Sequence, residues 1–189
     1  MSPVTHLLAG WLLANTSSNL SRKERAFITL AGVAPDLDGI GLIAELATRN
    51  TAHPLLWWTE YHHVLGHNLL CSLIVALLCA FFAKKRVLTF LLVLASFNLH
   101  IFCDLIGARG PDGDQWAIYY FYPFSDYALT WSGQWELNAW QNFVITISAL
   151  LITFRIAFKR GYSPIEIISQ KADAIFVQAV RKRFGTQQG

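Results

Sequence analysis

Carboxylates and imidazoles stand inside the apolar stretches of this chain, and that placement restricts the fold more than any other feature. Asp36 and Asp38 interrupt one stretch at Pro35-Asp36-Leu37-Asp38-Gly39. His62, His63 and His67 open another, His100 and Asp104 lie within a third, and His6 begins a short N-terminal one. An ionisable group at the centre of a lipid-exposed helix costs about 2.5 to 3.5 kcal/mol by insertion scales, so such groups face one another, a wet cavity or a cation. A fold that gathers them on one interior surface meets that demand for all of them together.

The stretches concerned are long enough to suggest a membrane. Hydrophobic residues make up 54% of the 189 residues and charged ones 14%, against roughly 25% charged in ordinary soluble domains. Residues 26–47, 67–83, 87–107 and 139–158 approach the roughly 20 residues of a spanning helix, while 4–14 is shorter and its topology stays open. The expectation is an all-α integral membrane bundle of about four to five transmembrane helices plus a C-terminal amphipathic helix. Residues 1–160 form the membrane-embedded metal-binding domain in this reading, and 161–189 a basic amphipathic tail on the cytoplasmic side. In the tail, Ser163 and Pro164 suit a helix start, and an apolar stripe through Ile168, Ile175 and Val180 suits either a membrane surface or the end of the bundle. The N-terminus has no basic start or small-residue cleavage site of a secretory signal and is expected to be retained. Cys71, Cys79 and Cys103 lie in apolar runs without Cys-x-x-Cys spacing, which argues against a disulfide framework or a thiolate zinc site. A net charge of +3, held in short flanking clusters, argues against nucleic acid as a partner.

Those clusters orient the bundle. Arg22, Lys23 and Arg25, then Lys84, Lys85 and Arg86, then Arg155, Lys159 and Arg160 fall on one side of an alternating path. The other side holds only Arg49 and Arg109 against Glu60, Asp112, Asp114, Asp126 and Glu136. Cytoplasmic loops collect Lys and Arg. At 1.5 Å per helical residue His100 is then about 20 Å from Val87, His67 about 24 Å from Ala83, and Asp36 about 15 Å from Ala26. The candidate ligands share one depth, between the midplane and the outer face.

The chemistry follows from residue types. His100 and Asp104, at i and i+4, share a helix face. His63 and His67 do so if that segment is helical, and His62 and His67 converge if it is not. Asp36 and Asp38 sit where proline and glycine free the backbone, with no basic residue near in sequence. Carboxylates completed by imidazoles suit zinc, with manganese next, better than calcium, which takes all-oxygen shells. His6, Asp36, Asp38, His62, His67, His100 and Asp104 are therefore the expected ligands of one or two divalent ions. His63 is the candidate general acid, and His53, before Pro54, is expected to be exposed.

The same residues carry a family resemblance. An early His6 with Gly10, Pro35-Asp36-x-Asp38, His62 with His67, His100-x-x-x-Asp104 and Tyr122-Pro123-Phe124-Ser125, in that order over roughly residues 1–130, resemble the YdjM-like membrane-bound metal-dependent hydrolases. The family pattern carries Arg after the first His of its third motif and Thr-His-Ser at its end, where this chain has His63 and Gly66-His67-Asn68. The resemblance implies His62 and His67 as ligands and an inner-membrane location. It does not pass to His63 the role of that Arg, because a neutral imidazole cannot replace a guanidinium fork.

The function expected is hydrolysis of a lipid or lipid-linked ester or phosphoester by a metal-activated water. Trp116, Tyr119, Tyr120, Tyr122 and Trp131 would form an interfacial rim, and Arg109 would either meet a phosphate or snorkel to headgroups. The alternative is a metal-ion or proton transporter using the same His and Asp residues, and a third reading is a scaffold whose polar residues bond between helices. The sequence leaves the oligomeric state open.

Overall fold

Helix starts are written locally in the chain. Ser2 accepts the Thr5 N–H and Pro3 occupies the first turn of α1 (Pro3–Ala14), where a missing N–H is no loss. Ser21 and Glu24 form a capping box at α2 (Arg22–Ala31). Beyond Gly32 the chain tightens into a 3-10 turn at Pro35–Ile40, continues as the short α3 (Gly41–Thr48), and returns through α4 (Trp57–Tyr61). Asn68 Oδ1 accepts the Cys71 N–H at 2.8 Å and opens α5 (Leu69–Phe81). Two long helices follow, α6 (Arg86–Gly107) and α7 (Trp140–Arg160), the latter ended by Gly161 in the left-handed region at φ 80°. Ser163 caps a second 3-10 turn, Pro164–Ile167, before α8 (Gln170–Phe184). The computed structural model describes residues 1–110 and 113–184. Asp112, part of the charge pattern above, and residues 185–189 of the tail lie outside the described residues.

The all-α expectation holds, but the expected four to five transmembrane helices are corrected. Among the described residues only α6 and α7 are long and apolar enough to cross a membrane. The count reaches three if α2 and residues 35–48, bent by 58° at their break, form one span. The reason is local: Gly32, Pro35 and Gly39 end the helix expected over 26–47, and residues 62–68 form a bonded loop, so the helix expected from residue 67 starts only at Leu69.

Small residues let these helices approach closely. A Cβ on Gly10 of α1 would stand 2.9 Å from both Ser96 Oγ of α6 and the Thr29 carbonyl of α2. Ser72 and Ala76, four apart on α5, are fully buried where α5 meets α6. Close backbone contact through such residues is the usual source of helix association where lipid removes the hydrophobic drive. Around it, Ala14, Leu20, Ile28, Ala31, Ala76 and Val93 form one core cluster, and Phe97, Ile101 and Ile118 a second one nearer the loops.

The segment after α7 is tied to the start of α2. Arg25 Nε and Nη2 donate to the Glu166 carboxylate at 2.7 and 2.6 Å, and the guanidinium lies 4.1 Å over the Tyr162 ring. Both partners are largely buried. Removing one member of a buried pair typically costs about 3 to 5 kcal/mol because the other charge is left unpaired. Arg25→Ala is therefore expected to release residues 162–184, read as faster hydrogen exchange and proteolysis there with protection of α6 unchanged. Arg25→Lys should restore only part of it, since an ammonium lacks the two-pronged geometry.

Candidate metal centre

Five pieces of chain meet where the short helices stop. α1 supplies His6, the 3-10 turn Asp36 and Asp38, the loop before α5 His62, His63 and His67, and α6 His100 and Asp104, while the end of α2 brings the Gly32 carbonyl. His6, His63, His67, His100 and Asp104 are buried, and Asp36 is partly open.

Hydrogen bonds decide which ring nitrogens are free. His100 Nδ1 donates to the Gly32 carbonyl at 2.8 Å, and His67 Nδ1 donates to Asp38 Oδ2 at 3.0 Å. Each ring then turns its Nε2 inward, and these two nitrogens stand 3.2 Å apart. Asp104 Oδ2 lies 3.0 Å from His100 Nε2 and 3.6 Å from His67 Nε2, and Asp36 Oδ1 lies 3.5 Å from His100 Nε2. Two nitrogens facing each other at that distance are satisfied by a shared proton or by a metal ion between them. Zinc bonds of about 2.0 to 2.1 Å in tetrahedral geometry separate ligand atoms by about 3.3 Å, which is the scale of these four edges. Asp36 Oδ2 is buried without a hydrogen-bond partner among the described residues, so Asp36 too is left for a ligand to satisfy. The donor set of two imidazoles and two carboxylates fits a divalent ion.

The electrostatics of the loop say the same. Burial alone would lower the His67 imidazole, but its contacts with Asp104 and Asp38 outweigh burial and raise it to about 9. A metal ion bound at His67 would have to displace that proton, so binding there would release it. His63 behaves in the opposite way: burial, then its neighbours His67 and His62, push it down to about 2, so it stays neutral.

Around this centre the remaining candidates take distinct places. Asp38 stands behind the four converging groups and is not one of them: Oδ1 accepts from His62 Nδ1 at 2.8 Å, and Oδ2 from the amides of His63 and Gly66 at 3.1 and 2.9 Å as well as from His67. His6 Nε2 is 3.1 Å from Asp104 Oδ1, and its ring stacks on His100 at 3.7 Å. The Met1 amino group also meets Asp104 Oδ1. His62, His63 and His67 form a second group able to hold an ion, sharing His67 with the first. His53 is exposed and belongs to neither.

Two adjoining clefts reach the site. The inner one, of about 280 Å³, touches Asp36, Asp104, His62 and His63. The outer one, of about 540 Å³, lies beyond His62 and His63 and is bounded by Glu60, Gln115 and Tyr119. Trp58 and Trp116 line both. Trp58 stacks on His62 at 3.8 Å, and Trp116 meets His63 edge-on at 5.2 Å. Of the expected rim, Trp116 and Tyr119 are at the clefts. The Tyr120 hydroxyl instead donates to Asn98 Oδ1 at 2.7 Å, Trp131 packs on Trp135, and Tyr122 lies beside α5. Arg109 Nη2 is bonded to the Ser132 carbonyl and lines neither cleft. Trp58 and Gly66 were not singled out by sequence reasoning. Gly66 does have a readable signal in its place between histidines, because a Cβ there would collide with the Pro35 carbonyl.

A helical membrane protein with a buried His/Asp cluster able to hold a metal ion is the class that this geometry defines. The chain matches the family described as YdjM inner membrane protein over residues 1–177 and belongs to that family. The match runs well past the motifs, through α7 and into α8. No curated protein and no solved structure matches the chain.

The bonds made by Asp38 generate a specific expectation. Carboxylates that orient metal-binding histidines typically contribute about 10- to 100-fold to metal affinity. Asp38→Asn, which keeps shape but removes charge and offers one oxygen to several donors, should weaken zinc binding by that amount in a competition titration with a chelator. Cys103→Ala, on α6 beside Asp104, should leave it unchanged.

Proposed function

We propose that the protein is a membrane-bound metal-dependent hydrolase acting on a lipid or lipid-linked ester or phosphoester. The observation that carries this reading is the convergence of Asp36, His67, His100 and Asp104 with the two Nε2 atoms 3.2 Å apart. A divalent cation held there, zinc first and manganese second, supplies Lewis acidity and brings the pKa of water toward neutrality. The surrounding residues do the rest. Gly32 and Asp38 hold His100 and His67 in the tautomer that offers Nε2. His6 fixes the outer oxygen of Asp104. His62, held by Asp38 at Nδ1, lines both clefts beside His63.

His63 is the residue we assign to proton transfer, as a neutral imidazole that would accept a proton before returning it. It lines both clefts, and its backbone is held at φ 67° by the bond from its amide to Asp38. A non-glycine residue in that region is strained and persists only when its surroundings enforce it. Trp58 and Trp116 bound the opening and limit water. Among the described residues neither cleft is lined by Lys or Arg, and the Met1 amino group at the inner one is paired with Asp104, so negative charge on a substrate would be met by the cation.

A lipid substrate is supported by location. The basic clusters lie at the end of α6 and α7 away from the site, and the positive-inside rule puts that end in the cytoplasm. The centre then opens toward the outer half of the inner membrane, close to Trp57, Trp58 and Trp116, as expected of an interfacial aromatic belt.

The test begins with metal content of the detergent-purified protein. Wild type should hold one equivalent, and His100→Ala and Asp104→Ala should lose it at matched folding. His63→Ala should keep the ion of the Asp36 cluster and lose about 10²- to 10⁴-fold in kcat on phospholipid or short-chain ester substrates, the range for a general acid or base. Wild type that stays metal-free after reconstitution would overturn the reading. Metal flux into vesicles with no hydrolysis would replace it by transport.

A further inference from the structure

The charge of the bundle is concentrated at the end opposite the metal centre. Apart from Arg49 and Arg109, every Lys and Arg lies at the end where α1 stops, α6 starts and α7 stops. The acids that share this end are Glu24, Glu166 and Asp173, and each is engaged within the protein. Glu24 closes its capping box and accepts the Lys85 N–H, Glu166 holds Arg25, and Asp173 holds Ser163. Among the described residues Arg25 is the one cation at this end in an ion pair with an acidic side chain. The remaining positive charge needs counter-ions from outside the chain.

At this end α8 folds back along the last turns of α7 without closing on them. Arg181 Nε donates to the Phe158 carbonyl at 2.9 Å, and the Phe176 and Phe154 rings meet at 5.7 Å. Between the helices remains a groove of about 430 Å³, walled by Leu151, Phe154, Phe158, Val180 and Phe184, with Arg155 at its edge. Leu151, Phe154 and Phe184 are exposed, and α7 is one of the helices able to cross a membrane, so the groove opens to lipid. Arg155 is five residues from the end of α7, about 7.5 Å along the axis, a depth at which headgroup phosphates give way to acyl chains.

We propose that this groove is a binding site for an anionic phospholipid of the leaflet at the basic end, its acyl chain against Leu151, Phe154 and Phe184 and its phosphate on Arg155. The apolar walls and the cation address the two halves of one amphiphile. The unpaired Lys and Arg residues around the groove select against zwitterionic lipids, whose own cation would be brought into the same field. The site lies at the far end of the bundle from the metal centre and does not depend on its chemistry.

Native mass spectrometry of the full chain in detergent, titrated with phosphatidylglycerol or phosphatidylcholine of identical acyl chains, tests this. Wild type should retain one phosphatidylglycerol at least fivefold more tightly than phosphatidylcholine. Arg155→Gln, at an exposed position, should lower that preference about fivefold, the typical effect of one cation near anionic lipid. Leu151→Trp, which fills the groove, should abolish retention of the single lipid. Lys171→Gln, on the same helix as Val180 but near its other end, should leave both lipids unchanged. Equal retention of the two lipids by wild type would overturn the proposal. So would phosphatidylglycerol binding that survives both groove substitutions, or that falls as much in Lys171→Gln as in Arg155→Gln.

Discussion

The carboxylate of Asp38 is the interaction on which the architecture of the metal centre rests. It accepts hydrogen bonds from His62, His67 and the amides of His63 and Gly66. Those bonds hold residues 62–68 as a loop instead of the first turns of α5, and they orient two imidazoles with one anion. They also bring the backbone of Gly66 against Pro35, in space that a side chain would occupy. An anion that satisfies four donors in a buried place cannot be replaced piecemeal, because each donor left without its partner carries its own desolvation penalty.

Helix length explains why such a loop is tolerated at this depth. The 22 and 21 residues of α6 and α7 run about 33 and 32 Å, close to the hydrocarbon thickness of a bilayer. The 12, 10 and 13 residues of α1, α2 and α5 run about 18, 15 and 20 Å. The space left beyond the short helices is filled by irregular chain. Non-helical backbone at membrane depth survives only where it is buried in protein or lines a cavity. The loops that carry Asp36, Asp38 and His67 do both, and so the shortfall in helix length and the polar centre are one structural solution.

Much of this was legible in the sequence, and the gaps have physical causes. The chemistry-bearing residues stood out because an uncompensated His or Asp is so unfavourable in an apolar run, and the structure gathers His67, His100, Asp36 and Asp104 at one place. α6 and α7 were readable because nothing interrupts them. The helix count was not, since hydrophobicity over 26–47 and 67–83 says nothing about a break at Gly32 or about bonds from His62, His63, Gly66 and His67 to an acid 24 to 29 residues earlier. For the same reason Asp36 and Asp38 looked equivalent. They sit two apart in a tight turn, and only the partner loop shows that one oxygen of Asp36 is unpartnered while both oxygens of Asp38 are taken. The reach of Arg25 to Glu166 across 141 residues likewise has no local signature.

The charge balance of the centre bears on the substrate. Asp36, Asp38 and Asp104 bring three carboxylates together, and among the described residues neither cleft contributes a Lys or Arg. With neutral imidazoles and the Met1 amino group on Asp104, one divalent ion would bring the centre to neutrality. That state would suit a neutral carboxylic ester and offer a phosphodiester anion no net attraction, where one uncompensated unit charge at 4 Å in a medium of effective dielectric 20 would supply about 4 kcal/mol. A second divalent ion at His62 and His63 would lack a third protein nitrogen, because His67 gives Nδ1 to Asp38 and its one free nitrogen to the first ion. In the pattern that the chain resembles, an Arg stands where this one has His63, so a fixed cation there would add positive charge that a neutral imidazole does not. Under the proposed hydrolysis, the charge of the centre with one ion bound would therefore favour a carboxylic ester over a phosphodiester.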